Sequence, residues 1–307
     1  MDTKVETVRR RITITEILIG GTPMAFFRRT KKAIEDDEAP KLPQTRRAVF
    51  FDIVKYHWGK LLWLSLILLA VALPLLLICV YEDAYLLTVA KDPNTPLETI
   101  PALIAPLRIY CALLSIPGLA IFFWGLSGVI RVMRQLAWER NVTVFQDFIS
   151  GLRQNQKQFL PVSLLFALCY ALARIGWHNA LATQAESVWG QGIILGLLIF
   201  LVAPLVAYST VAIAVYSNSF WGNLKLSAYL YLKSPLKTIG AMLLAFGPSV
   251  VVWLIPHLQL HLIGCLPTMV VFVLGLLGWV LFSYNQLDKH CNAEHYPELV
   301  GRGINGQ

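Results

Sequence analysis

The sequence predicts an all-α, polytopic membrane protein: six transmembrane helices arranged as three hairpins, both termini cytoplasmic, with interfacial amphipathic helices along the cytoplasmic side. Three observations predict it. Of 307 residues, 56% are hydrophobic and only 14% charged, whereas a soluble domain carries roughly 25% charged residues. The apolar residues gather into six windows long enough to cross a hydrocarbon core about 30 Å thick, which takes about 20 residues of helix. Finally, 23 of the 26 Lys and Arg fall in alternate connections, the asymmetry expected when basic residues are retained in the cytoplasm.

The chain opens with an arm, residues 1–47, in which Lys31-Lys32 is followed by Glu35-Asp36-Asp37-Glu38 and then Pro40 and Pro43. This reads as a charged, partly disordered cytoplasmic segment. The run Ile12–Gly20 after Arg9-Arg10-Arg11 is short and is interrupted by Glu16, so no cleavable signal peptide is expected. The membrane domain covers 48–287. Its first span, about 61–81, is bounded by Lys60 and Glu82, and its second, about 109–130, by Arg108 and Arg131. The third, about 159–177, carries Arg174 near its far end, and the fourth, about 192–216, contains Pro204. Between Lys237 and Asp288 lie 50 residues without a formal charge, too many for one crossing. The segment Pro256-His-Leu-Gln-Leu-His261 divides them into spans of about 238–255 and 262–284. A cytoplasmic tail, 288–307, closes the chain.

Cytoplasmic charge is concentrated in the first 60 residues, in Arg131–Lys157, in Lys225–Lys237 and in the tail. The opposite side holds only Lys91, Arg108 and Arg174. Eight of the nine tryptophans follow the same frame, with Trp58, Trp63, Trp138, Trp221 and Trp279 near inner ends and Trp177, Trp189 and Trp253 near outer ones, as an interfacial belt requires; Trp124, in the inner half of a span, is the exception. The net charge of +8 is thereby an orientation signal and a contact with anionic inner-leaflet lipid, not a nucleic-acid surface. The sequon Asn141-Val-Thr143 falls on the cytoplasmic side and is expected to stay unmodified.

Each unit runs a cytoplasmic amphipathic stretch into an outward helix, an outer turn and an inward helix. The clearest stretch is 143–153, where Phe145, Phe148, Ile149 and Leu152 share a helical face and Thr143 is placed as an N-cap. Its counterparts are 50–60 and 224–237. The basic pairs Arg153 with Lys157 and Lys233 with Lys237 precede the outward helices of units two and three and suit lipid phosphates.

At the first span the run Asp52-Ile-Val-Lys-Tyr-His-Trp-Gly-Lys-Leu-Leu-Trp-Leu-Ser-Leu, with Ala72-Leu-Pro74 further on, resembles the opening of the YesL-like bacterial membrane proteins. So does Gly125-Leu-Ser-Gly-Val-Ile-Arg-Val-Met-Arg134, followed by Phe145-Gln-Asp-Phe-Ile-Ser-Gly-Leu-Arg-Gln-Asn155-Gln-Lys-Gln-Phe159. The resemblance covers roughly 48–290 and leaves the arm as a departure. It implies a six-helix protein of the cell membrane that accompanies carbohydrate uptake, with a transporter as possible partner, and it brings no catalytic residues.

Candidate chemistry is sparse. Five cysteines, four of them inside apolar stretches, form neither a disulfide framework nor a CxxC site. No Walker A loop, GxGxxG, GxSxG or carboxylate pair within a span is visible, which lowers the expectation of a proton-driven pump. No cofactor and no enzymatic activity are expected. Arg108 and Arg174 sit within a turn or two of the predicted outer surface, where long side chains reach water; facing each other, they would instead make an anion-attracting vestibule with His178 nearby. His257 and His261 have the i, i+4 spacing of a metal pair with His178 as third ligand, but no adjacent carboxylate, and interfacial histidines are the alternative. The tail run His290-Cys-Asn-Ala-Glu-His295 has neither zinc-protease spacing. Three functions stay open: an accessory to solute uptake or membrane assembly, a small-solute carrier or channel, and an intramembrane metal-dependent enzyme.

Overall fold

A computed structural model describes residues 43, 45–91, 96, 99–138, 141–183, 188–216, 218–255 and 258–304. The arm, except Pro43 and 45–47, lies outside them, as does His257. The described chain is helical throughout, and six of its helical segments are long and apolar enough to cross a membrane. These are α1 (Arg46–Lys91), α2 (Ile100–Ala137), α3 (Val144–Thr183), the pair α4 (Val188–Leu197) and α5 (Ala203–Val215) joined by a π turn at Leu198–Val202, α7 (Pro235–Leu254) and α9 (Cys265–Leu287). Helix α6 (Phe220–Lys233) and the short α8 (Leu258–Ile263) lie between spans.

The expected spans are all found, but the helices overrun them. An uncharged window ends at the first charge, whereas a helix ends where its backbone is broken or capped. Helix α1 continues ten residues past Tyr81, through Glu82 and Asp83, to Lys91. The three amphipathic stretches likewise join their spans in three different ways. In α1 the join is a kink at His57, whose φ of −122° and ψ of 21° leave the helical region. In the second unit there is no break: α3 is a single helix of 40 residues, about 60 Å long. In the third, Ser234 separates α6 from α7 with φ −151° and ψ 62°, because the residue before a proline, here Pro235, is sterically pushed out of the α region. The expected stretch 224–237 therefore contains a break, and Lys237 belongs to the spanning helix.

Local chemistry explains the starts. At α3 the Asp147 carboxylate accepts from the Thr143 N–H at 2.9 Å while the Asp147 N–H donates to the Thr143 carbonyl, also at 2.9 Å. The cap is the Asp147 side chain reaching back rather than the expected Thr143 hydroxyl. At α6 the Ser219 hydroxyl accepts from the Gly222 N–H at 3.2 Å. Pro204 at the head of α5 has no N–H for the Phe200 carbonyl four residues earlier. The Tyr231 hydroxyl of α6 donates to that carbonyl at 2.5 Å, and the π turn takes up the mismatch.

The most extensive packing is between α2 and α3, across the short connection 138–143. Glycine makes it possible: a Cβ on Gly128 would stand 2.7 Å from the Phe148 carbonyl, and one on Gly151 would stand 2.8 Å from the Gly128 Cα. Of the expected amphipathic face on α3, Phe148 is buried whereas Phe145 is exposed. Gly275 plays the same part between α9 and α7, where a Cβ would meet the Ala245 carbonyl at 1.8 Å. By contrast, Gly192 and Gly196, the one GxxxG pair in the sequence, have nothing within 4 Å. The core joins Leu61, Leu64 and Leu68 of α1 to Ile130 and Met133 of α2, Phe159 of α3 and Leu277 of α9. Trp279 belongs to it as well. It is buried, its ring lies 5.0 Å from that of Tyr208, and its indole N–H donates to the Ala207 carbonyl at 3.0 Å, so it is a core residue and not part of an interfacial belt. Trp58, Trp63 and Trp221 are exposed as a belt requires.

Candidate functional site

Ionisable groups inside an apolar bundle are costly, about 2.5–3.5 kcal/mol each at mid-membrane on insertion scales, and they persist where they are partnered or used. Helices α1, α2 and α3 each bring one to the end of the bundle that carries the 92–99 and 184–187 connections. Glu82 lies nine residues before the end of α1, Arg108 eight after the start of α2, and Arg174 nine before the end of α3. At about 1.5 Å per residue all three stand roughly 12–14 Å in from their helix ends. The antiparallel register therefore sets them level with one another.

They meet. An Arg174 Nη2 donates to Glu82 Oε2, and Arg108 Nε is 3.6 Å from Glu82 Oε1. The carboxylate side chain is 8% exposed and the two guanidiniums 18% and 22%. The two arginines thus converge on one acid instead of extending separately towards water, which corrects the snorkelling expectation. The reason is helix length: α1, α2 and α3 each run past the predicted surface, so both arginines are farther from it than the apolar windows implied. Tyr170 lies one turn before Arg174 on the same helix. His178, one turn after, feels both guanidiniums electrostatically, and its buried Nδ1 has no hydrogen-bond partner among the described residues.

Asp83, the next residue along α1, faces a different element. Its Oδ2 is 2.5 Å from Nδ1 of His261 on α8, and both residues are buried, at 7% and 5% exposure. Glu82 is the expected outer bound of the first span, but both Glu82 and Asp83 lie buried within the spanning helix, which overturns the expectation that spans lack a pair of carboxylates. A signal was available: nothing from Tyr81 to Lys91 breaks a helix, and the first proline follows at 93. His261, expected from sequence as half of a metal pair with His257, directs one ring nitrogen at Asp83, a carboxylate 178 positions away. No grouping of three or more potential metal ligands occurs among the described residues.

The remaining candidates lie apart from this cluster. Arg153, Lys157, Lys233 and Lys237 are all exposed near the opposite end of the bundle. There the ammonium group of Lys233 sits 5.4 Å from the Tyr229 ring centroid. All five cysteines are free. An apolar groove of about 410 Å³ opens between α7 and α9 beside Phe50, lined by Ala241, Leu244, Ala245, Val271 and Gly275, with no charged group in it.

Six apolar spans around a core, closed at one end by an ionic cluster, define an integral membrane protein. The chain matches no protein-family model, no curated protein and no solved structure.

Proposed function

We propose that this is a multi-pass protein of the plasma membrane with both termini cytoplasmic, without catalytic chemistry of its own, that engages a charged small solute at the outer end of its bundle and assists its uptake. The single observation carrying this reading is the level placement of Glu82, Arg108 and Arg174 by three different spans. Evolution of a purely structural bundle has no need to set three charges at one depth when each costs free energy to bury. The Lys and Arg asymmetry of the sequence supports the orientation, and the exposed Arg153, Lys157, Lys233 and Lys237 then face inner-leaflet phosphates. The resemblance to the YesL-like proteins supports an accessory role beside a transporter of carbohydrate.

A second reading, a carrier acting alone, is favoured by the buried carboxylates Glu82 and Asp83 and by the Pro204 π turn, which loosens a spanning helix. Two preparations decide between them. An accessory co-purifies with a transporter from mild detergent, and deleting it lowers uptake only when that transporter is present. A carrier takes up solute in proteoliposomes that contain no other protein. A chain that does neither, and whose loss leaves uptake of charged solutes and sugars unchanged, would end the proposal.

A further inference from the structure

We infer that the Arg108–Arg174–His178 corner is a binding site for a small oxyanion, a carboxylate or a phosphate, and that the Glu82 carboxylate competes with that ligand for the arginines. The inference deepens the reading of this end of the bundle as solute-engaging and rests on it. The first argument is charge. Two guanidiniums share one carboxylate, since the neighbouring acid, Asp83, is engaged by His261. Around Glu82 itself cations outnumber the acid two to one, in a site where the side chains are mostly buried.

The second argument is unspent donors. Arg108 makes no hydrogen bond among the described residues. Its one ionic contact is the 3.6 Å approach to Glu82, beyond hydrogen-bond length, and its Nε is buried without a partner. His178 Nδ1 is in the same state. Other half-buried arginines in this chain put at least one terminal nitrogen to use: Arg46 bonds Asp288 and the Arg302 carbonyl, Arg131 bonds Gln154, and Arg134 bonds the Ala214 carbonyl. An unpaired buried polar group costs about 1–3 kcal/mol, and the Arg108 guanidinium, which can only donate, is left without a hydrogen-bonded acceptor among the described residues. The planar fork of a guanidinium matches the two oxygens of a carboxylate or phosphate. Arg174 already holds one such group, Glu82, which demonstrates the chemistry the site accepts.

The oxyanion can be a dissolved solute or a lipid headgroup, and the test separates the two. The full-length protein is placed in phosphatidylcholine nanodiscs, and its melting temperature is followed against sodium acetate or phosphate at constant ionic strength set with chloride. A saturable rise is expected, because a ligand that binds only the folded state stabilises it. Glu82→Gln removes the competitor and should lower the half-saturating concentration by about tenfold, the equivalent of 1.4 kcal/mol. Arg108→Gln, which breaks no hydrogen bond, should keep the fold and raise that concentration by about tenfold or more. If the ligand is a headgroup, phosphatidylglycerol nanodiscs should give the rise with no added anion, and Arg108→Gln should abolish it. No saturable response to acetate, phosphate or phosphatidylglycerol, or an equal response in Arg108→Gln, would overturn the inference. Anion binding in a chain whose deletion leaves uptake unchanged would retain the site and remove the uptake reading. Chain-dependent uptake without an anion response would do the reverse.

Discussion

The two ends of the bundle use the same residue types in opposite ways. At the end where α1 begins and α9 ends, Arg46 donates from Nη1 to the Arg302 carbonyl and from Nη2 to Asp288 Oδ2, each at 2.7 Å. The other Asp288 oxygen accepts from Asn292 at 2.8 Å, and Asn292 in turn accepts from the Tyr216 hydroxyl. The Arg302 guanidinium lies 4.5 Å from the Trp138 ring centroid, and that of Arg134 lies 5.0 Å from the same ring. This circuit seats the segment after α9 against α2: a Cβ on Gly303, where φ is +82°, would stand 2.0 Å from the Ala137 carbonyl. At the other end Glu82 faces two guanidiniums, and the Arg108 Nε and the His178 Nδ1 have no hydrogen-bond partner among the described residues. A closed circuit of this kind is a lock. An open one leaves capacity for a ligand, and the difference gives each end its own response to mutation.

The largest effect is expected for Arg174→Met. It strips Glu82 of its hydrogen-bonded partner and leaves a carboxylate 8% exposed with only the 3.6 Å contact to Arg108. Removing one member of a buried pair costs about 3–5 kcal/mol, so the melting temperature in detergent should fall steeply. Adding Glu82→Gln removes the stranded charge, and the double variant should recover most of the loss. If the two losses simply add, Glu82 and Arg174 are not coupled and the open end has been misjudged.

Arg46→Met should come second, at about 2–3 kcal/mol, since it breaks one ion pair and one bond to a carbonyl while the Asp288 side chain, 16% exposed, keeps Asn292 as a partner. Its signature is locality. Limited proteolysis should release the segment after Asn292 while oxyanion binding at the far end stays as in the unmutated protein, because the two circuits share no residue. Loss of binding in this variant would mean that the ends communicate.

The contrast also explains what the sequence could reveal. Spans are governed by apolar length, a summed property, so six windows found six helices. The arginines were legible because a charge stands out against an apolar run. Glu82 and Asp83 were hidden by the same rule, which ends a span at its first charge, although the Ala-Tyr-Leu-Leu that follows them continues the helix. Pairings such as Asp83 with His261 or Arg46 with Asp288 join residues 178 and 242 positions apart. No local pattern encodes them; they depend on which helices pack and at what height. Trp279 misled for the opposite reason: its position near a helix end suited the interface, but its neighbours Tyr208 and Ala207 enclose it.

The smallest effect on folding is expected for Arg108→Met, and it bears most directly on the comparison. If Arg108 belonged to a lock, removing it would cost as much as removing Arg46. Among the described residues its one ionic contact is instead a long approach from a side chain 22% exposed, and contacts of that quality contribute about 0–1 kcal/mol. Methionine keeps most of the aliphatic stem, so the melting temperature without added anion should move by no more than a degree or two for a chain of this size. Stability in the absence of ligand and response to ligand should then separate: nearly unchanged in the first, largely lost in the second. A fall as large as that of Arg46→Met would show that Arg108 is holding the helices together, and the open end would have to be regarded as a second lock.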